Sequence, residues 1–253
     1  MMTFGGHLEV LRQMLFRIIF IVCAMSIAIF CCKDAVWKML LAPSEYDFAT
    51  YRAVENIAAA IGMKLHFAPF HIDLIATDLS SQFMMHITTS VYLGLLLSSP
   101  YILYELFRFV SPALYESERR YSYIVVSVVY LLFTVGVLMC YYVIFPISFR
   151  FLGTYSVAER VHSAITLDSY VETFATLTFV MGIVFQLPVI MWSMAKMGFI
   201  SYPVLAKYRK HAFLIIMLVA AIITPPDVMT LVLVAIPLYL LYEISVRVTK
   251  HMA

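Results

Sequence analysis

Charge is what this sequence has least of: Asp, Glu, Lys and Arg make up 13% of its 253 residues, against roughly 25% in an ordinary soluble domain. Those charges are bunched between long apolar runs, and 63% of the chain is hydrophobic. A water-soluble fold could not hide so much apolar surface, so lipid is the solvent for most of the chain. The net charge is only +2 and no basic run is extended, which excludes a nucleic-acid partner. Enzyme signatures are missing too: there is no HExxH, no GxSxG, no glycine-rich phosphate loop and no His pair at ligand spacing. No catalytic or metal-binding constellation is expected, and no cofactor. Cysteine is scarce. Cys23, Cys31, Cys32 and Cys140 lie in or beside apolar runs without CxxC spacing and are expected to be buried, inert thiols. A cleavable signal is not expected either. The first apolar run, from Ile18 to Cys32, follows Arg12 and Arg17 and ends at Lys33-Asp34 without a small-x-small site, so it reads as a retained first span.

About 20 apolar residues cross a bilayer core. The runs that qualify are 14–33, 83–107, 122–145, 169–192, 211–224 and 228–246. They predict an all-α polytopic membrane protein of six spans forming a single membrane domain. The external loops would be 34–82, long enough to carry short helices, then 146–168, and 225–227. Orientation follows the basic residues. With the N-terminus inside, 11 of the 17 Lys and Arg fall on the cytoplasmic side with five of the 15 acids, so the inside sums to +6 and the outside to −4. That asymmetry predicts both ends in the cytoplasm.

The fifth run, His211 to Ile223, has 13 residues, about 20 Å of helix. A hydrocarbon core is roughly 30 Å thick. Either the bilayer thins there and Asp227 simply caps the sixth helix, or the Pro225-Pro226-Asp227 turn lies below the outer surface and makes Asp227 a deep carboxylate. Prolines mark four spans: Pro100, Pro146 ending the third, Pro188 and Pro237. Together they suggest a curved, concave bundle.

Polar groups inside apolar runs need a reason, because each charge costs roughly 2.5–3.5 kcal/mol on insertion scales. Glu105 and Arg108 sit at the inner end of the second span with i, i+3 spacing. Glu172 lies one turn into the fourth. Gln186, deep in the same span, is either a structural residue bonded to the carbonyl that Pro188 frees or a docking point for a polar group on a partner helix. His86 is alone and reads as structural. Near the start of the chain, Leu8, Leu11, Met14, Leu15 and Ile18 form one helical stripe, with Glu9 on the opposite side. A second acidic patch, Tyr115-Glu116-Ser117-Glu118-Arg119-Arg120, lies between the second and third spans.

Several stretches then share the pattern of a known family. They are His7-Leu8-Glu9-x-Leu11-Arg12, Ser99-Pro100-x-Ile102-Leu103-Tyr104-Glu105, and Ser111-Pro112-Ala113-Leu114-Tyr115-x-x-Glu118-Arg119-Arg120. With them go Phe145-Pro146, Phe185-Gln186-Leu187-Pro188, Thr224-Pro225-Pro226-Asp227 and Pro237-x-x-x-Leu241-Tyr242-Glu243. From about residue 7 to 246 the sequence resembles TatC, the multispanning receptor subunit of the twin-arginine protein translocase. The resemblance implies a six-helix, glove-shaped protein of the bacterial inner membrane, working in a multimeric complex. It would bind signal peptides carrying paired arginines and recruit single-span partner subunits of the TatA and TatB type. Folded proteins would then cross by the proton-motive force, independently of Sec. By the same resemblance Glu118 is the first acid to consider for the arginine pair, with Glu9, Arg12, Arg119 and Arg120 beside it. A guanidinium pairs bidentately with a carboxylate where an ammonium cannot.

This sequence departs from the family pattern twice. The family's N-terminal acid falls at Val10, about 100° around the helix from Glu9. The family's buried Glu before the fourth-span proline is Gln186, which keeps hydrogen bonding but carries no proton; that favours helix docking through Gln186, with Glu172, Asp227 and Glu105 as further intramembrane polar residues. The competing reading, a secondary transporter for a small solute, would call for internal repeats and a charged midplane site. Neither is evident.

Overall fold

The structure, a computed structural model, describes residues 4–60, 62, 72–110, 122–156, 158 and 164–250. It is almost entirely helical. Among the described residues, five helices are long and apolar enough to cross a membrane: Leu8–Cys31, Ser81–Leu106, Val126–Thr154, Leu167–Lys196 and Val228–Lys250. Two compact units are formed, Met1–Trp37 with Leu79–Leu132 and Lys38–Asp78 with Phe133–Ala253.

The first unit is built on α1 (Phe4–Cys31) and α4 (Ser81–Val110). Its contacts show the direction of packing. Arg17 meets Glu105, a methyl on Gly94 would strike Ser26, and Phe30 stacks on His86 with ring centroids 4.2 Å apart. Residue numbers rise on one helix as they fall on the other, so α1 and α4 are antiparallel. The face of α1 turned inward carries Met14, Ser26 and Ile29, all buried, at the spacing of one helical stripe. Leu8 and Leu15, expected on that stripe, are exposed instead, because the contact with α4 is narrower than the apolar arc. The same geometry overturns the expectation for three cysteines. Cys23, Cys31 and Cys32 are exposed and only Cys140 is buried. They fall off the stripe, on an apolar side suited to lipid.

In the second unit the segment from 34 onward does carry helices: α2 (Lys33–Leu41, starting in the first unit), a 3-10 turn (Ala42–Ser44) and α3 (Ala49–Ala60). Tyrosine hydroxyls fasten it. Tyr51 donates to the carbonyls of Pro43 and Pro146 at 3.1 and 2.8 Å, Tyr170 to Leu40 at 2.7 Å, and Tyr141 to Met39 at 2.7 Å. Burial pushes the Tyr51 phenol well above its ordinary range.

The helix of the third apolar run, α5 (Ser122–Met139), does not end at Pro146. It passes through a π-helical segment, Cys140–Ile144, into α6 (Phe145–Thr154). Proline lacks the N–H that would bond the carbonyl four residues back, that of Tyr142. Here the Thr50 hydroxyl donates to this carbonyl in place of the missing amide, and the helix continues ten residues beyond the π segment.

A two-residue parallel pairing of β1 (Leu74–Ile75) with β2 (Ile165–Thr166) leads into α7 (Leu167–Val184), whose N-cap is Thr166 accepting from the Ser169 amide at 3.2 Å. Within this unit α7 runs antiparallel to α5 and α6. Gly182 faces Phe133, Gly136 faces Met181 and Phe185, Thr178 donates to Cys140 at 3.5 Å, and Phe145 meets Phe174 edge-on.

At Phe185-Gln186 the helix breaks before resuming as α8 (Leu187–Lys196) with Pro188 in its first turn. A short α9 (Tyr202–Lys207) precedes α10 (Arg209–Ile223), and α11 (Val228–Lys250) ends the described chain. α10 has 15 residues, about 22 Å, matching the short fifth run.

Candidate functional site

The residues singled out by the sequence fall into separate local groups. Glu118, Arg119 and Arg120 lie outside the described residues.

At the start of α1, Glu9 accepts from Arg12 Nη2 at 2.7 Å and from Gln13 Nε2 at 3.2 Å. These bonds run along its own helix. The pair is open, with side chains 48% and 66% exposed. An exposed i, i+3 ion pair is worth only about 0.3–0.5 kcal/mol, so Glu9 can exchange Arg12 for an incoming guanidinium at little cost. Val10, at the family's acidic position, is 41% exposed. Both positions therefore lie on the open arc of α1 despite the 100° between them.

Glu105 is in a different state. Its side chain is 5% exposed, with Arg17 Nη1 at 3.6 Å and Arg108 Nη1 at 3.7 Å, and Tyr101 donates to Oε1 at 3.0 Å. The i, i+3 partner Arg108 was legible in the sequence. Arg17, on the other helix, was not; the signal was complementary charge at neighbouring ends of the first two apolar runs. Desolvating a carboxylate costs several kcal/mol, recovered only through good partners, and one hydrogen bond and two ion pairs supply them here. A comparable group in the second unit was missed altogether. Arg209 Nε lies 3.0 Å from Glu243, Tyr239 donates to the same carboxylate at 3.3 Å, and the Tyr242 hydroxyl donates to the Leu205 carbonyl at 2.8 Å.

Gln186 sits at the break between α7 and α8. Its backbone amide bonds Ile183 O at 2.9 Å, leaving the Gly182 carbonyl without the amide four residues on, and its own Nε2 donates to that carbonyl at 3.4 Å. The Gly182 carbonyl thus has the side-chain amide of Gln186 as a donor. Glu172 lies on the exposed side of α7, 14 residues before Gln186, and the two are not brought together. Asp227 Oδ1 accepts from the Thr230 amide at 2.6 Å, the bond expected of an N-cap.

The comparisons with known proteins bear on what these groups serve. The family model described as Sec-independent protein translocase protein (TatC) matches residues 6–237. The chain belongs to the TatC family. Among TatC relatives, that of Blattabacterium sp. subsp. Periplaneta americana is 34% identical over 259 residues, covering 100% of this chain and 96% of the relative. That of Aquifex aeolicus is 34% identical over 218 residues, covering 79% and 90%. The crystal structure of a twin-arginine translocase receptor TatC superposes with a TM-score of 0.75 at 30% identity, covering 97% of this chain and 98% of that one. A second, in DDM, gives a TM-score of 0.77. As a TatC protein the chain is a multi-pass membrane component of a protein translocase, a transport subunit rather than an enzyme.

Proposed function

We propose that this chain is the receptor subunit of a twin-arginine translocase in a bacterial cytoplasmic membrane, both termini inside. It binds paired-arginine signal peptides of folded cargo and recruits single-span TatA- and TatB-type subunits for transport driven by the proton-motive force. The observation that carries the reading is the family match over residues 6–237 together with carboxylates in both segments that would face the cytoplasm. Glu118 is the principal contact for the arginine pair, and Glu9, loosely held by Arg12, the second. Arg119 and Arg120 flank the principal site. Gln186, at the break in the fourth apolar run, is a docking point for a partner helix, with Glu172 and Asp227 as further polar contacts.

The test is export of a folded reporter in cells deleted for this protein and then restored. Export of an Arg-Arg reporter stops on deletion and returns on restoration, while a Lys-Lys reporter stays inside throughout. Export that persists in the deletion strain counts against the reading. The docking role has its own check. Gln186→Leu removes the bond to the Gly182 carbonyl and the polar surface together, and co-purification of a single-span partner falls severalfold while the yield of this chain is kept. Unchanged co-purification would remove Gln186 from the interface.

A further inference from the structure

We infer that one end of the second unit, formed by the segment between α8 and α10 with the last turns of α11, binds the headgroups of anionic phospholipids. This binding does not depend on the receptor role. Contacts within the unit bring the pieces together. The Tyr242 hydroxyl donates to the Leu205 carbonyl at 2.8 Å, Arg209 Nε lies 3.0 Å from Glu243, and Lys250 Nζ lies 5.8 Å from the centre of the Tyr202 ring. Lys196, Lys207, Arg209, Lys210, Arg247 and Lys250 gather here against a single acid, Glu243. That acid is half-buried and held by Arg209 and Tyr239. The two lysines of the segment's flanks, Lys196 and Lys207, and Lys210, Arg247 and Lys250 are all exposed. Among the described residues of this end, no carboxylate is exposed.

Selection of membrane orientation does not account for such a face. It acts on Lys and Arg and is nearly indifferent to Asp and Glu, so acids could stand among these lysines at no topological cost. At the start of α1 one does: Glu9 lies beside Arg12, and both are exposed. The end of the second unit instead presents uncompensated positive charge, and its complement is an anion.

The apolar residues select a lipid over a dissolved anion. Met197, Phe199, Val204 and Tyr208 are exposed, Phe199 by 72%, although they lie beyond the spanning length that ends at Lys196. The boundary between headgroups and acyl chains covers such side chains while neighbouring lysines reach the phosphates. Rings and ammonium groups are also paired here. Lys196 stands over Trp192 at 5.0 Å and Lys207 over Tyr208 at 5.9 Å, as Lys250 does over Tyr202. The ring face attracts the ammonium and leaves its N–H donors for phosphate oxygens, and aromatic rings are themselves at home at headgroup level. Holding this segment at the headgroups fixes the depth of α10, whose 15 residues, about 22 Å, are shorter than a core of roughly 30 Å.

The experiment uses Trp192, one turn before Lys196, as the reporter, with the chain's other tryptophan removed by Trp37→Phe. The full chain is reconstituted in vesicles of phosphatidylcholine and phosphatidylglycerol, one or the other carrying brominated acyl chains that quench tryptophan. Phosphatidylglycerol is expected to displace phosphatidylcholine beside Trp192 with a preference of about tenfold, falling below about threefold in Lys196→Gln/Lys207→Gln. Lys33→Gln/Lys38→Gln, an equal loss of charge at exposed lysines of α2, leaves the preference within about twofold of the parent. Quenching by brominated phosphatidylcholine alone is the same in all variants, as it would not be for a misfolded chain. Excess inorganic phosphate leaves the preference in place. Equal quenching by the two lipids in the parent overturns the inference and leaves the face to an acidic soluble partner. A preference that survives Lys196→Gln/Lys207→Gln, or that the α2 variant loses equally, overturns it too. Loss of the preference in inorganic phosphate would make this a site for a free anion and not for a lipid.

Discussion

Alanine at Glu118 is expected to lower capture of an Arg-Arg signal peptide by tenfold or more while the protein remains inserted and at normal abundance. The magnitude follows from the bonds lost. A hydrogen bond to a charged group contributes roughly 1.5–3 kcal/mol, a bidentate guanidinium–carboxylate contact uses two, and about 1.4 kcal/mol is a factor of ten. Glu9→Ala should cost less, a few-fold, because Glu9 must first release Arg12 and gains only the difference between the two pairings. The two variants should also differ in selectivity. Losing Glu118 removes most of the preference for Arg-Arg over Lys-Lys, since only the planar fork of arginine uses both carboxylate oxygens. Site-specific photo-crosslinking in inverted membrane vesicles measures both quantities. Equal capture by Glu118→Ala and the parent would take this residue out of the site.

The second large effect is on folding. Gly136→Val is expected to lower the thermal midpoint in detergent by about 5–15 °C, corresponding to a few kcal/mol for a chain of this size. A Cβ on Gly136 would lie 2.6 Å from the Met181 carbonyl oxygen and 2.9 Å from Phe185 Cγ. That carbonyl already accepts from the Phe185 amide at 3.0 Å, so it cannot turn away, and α5 and α7 have to separate. Close approach through small residues is how helices associate in lipid, where no hydrophobic drive pulls them together. Gly153→Ala is the matched control. Its new methyl would come nearest to Cδ1 of Ile72 and Cδ1 of Ile165, the far ends of side chains that can change rotamer, and the midpoint should move by no more than about 2 °C. Equal losses in both variants would mean that the Gly136 approach carries no special weight.

Much of this protein was readable before any packing was known. The apolar runs and the scarcity of charge gave the all-α membrane class, and the short fifth run reappears as the 15-residue α10. The capping alternative for Asp227 also follows from local chemistry, since a carboxylate three residues before a free amide is enough. Glu105 with Arg108 was visible because i, i+3 neighbours share a helix face. What failed did so where the answer lay on another element. Pro146 looked like a helix end because the donor that satisfies the Tyr142 carbonyl is Thr50, 92 residues away in sequence. The cysteines of α1 looked buried because hydropathy does not tell a lipid-facing side from a protein-facing one.

The physical division is between properties of single residues and properties of pairs. Transfer from water to lipid is close to a sum over residues, so the sequence alone determined the solvent, the lengths of the apolar runs and the uneven distribution of charge that predicts orientation. Pairing depends on which helices meet and in what register, and only the tertiary structure decided it. It placed Arg17 against Glu105, Gly136 against Met181 and Arg209 against Glu243, because a buried carboxylate or a missing side chain selects its neighbour only once two helices are in contact.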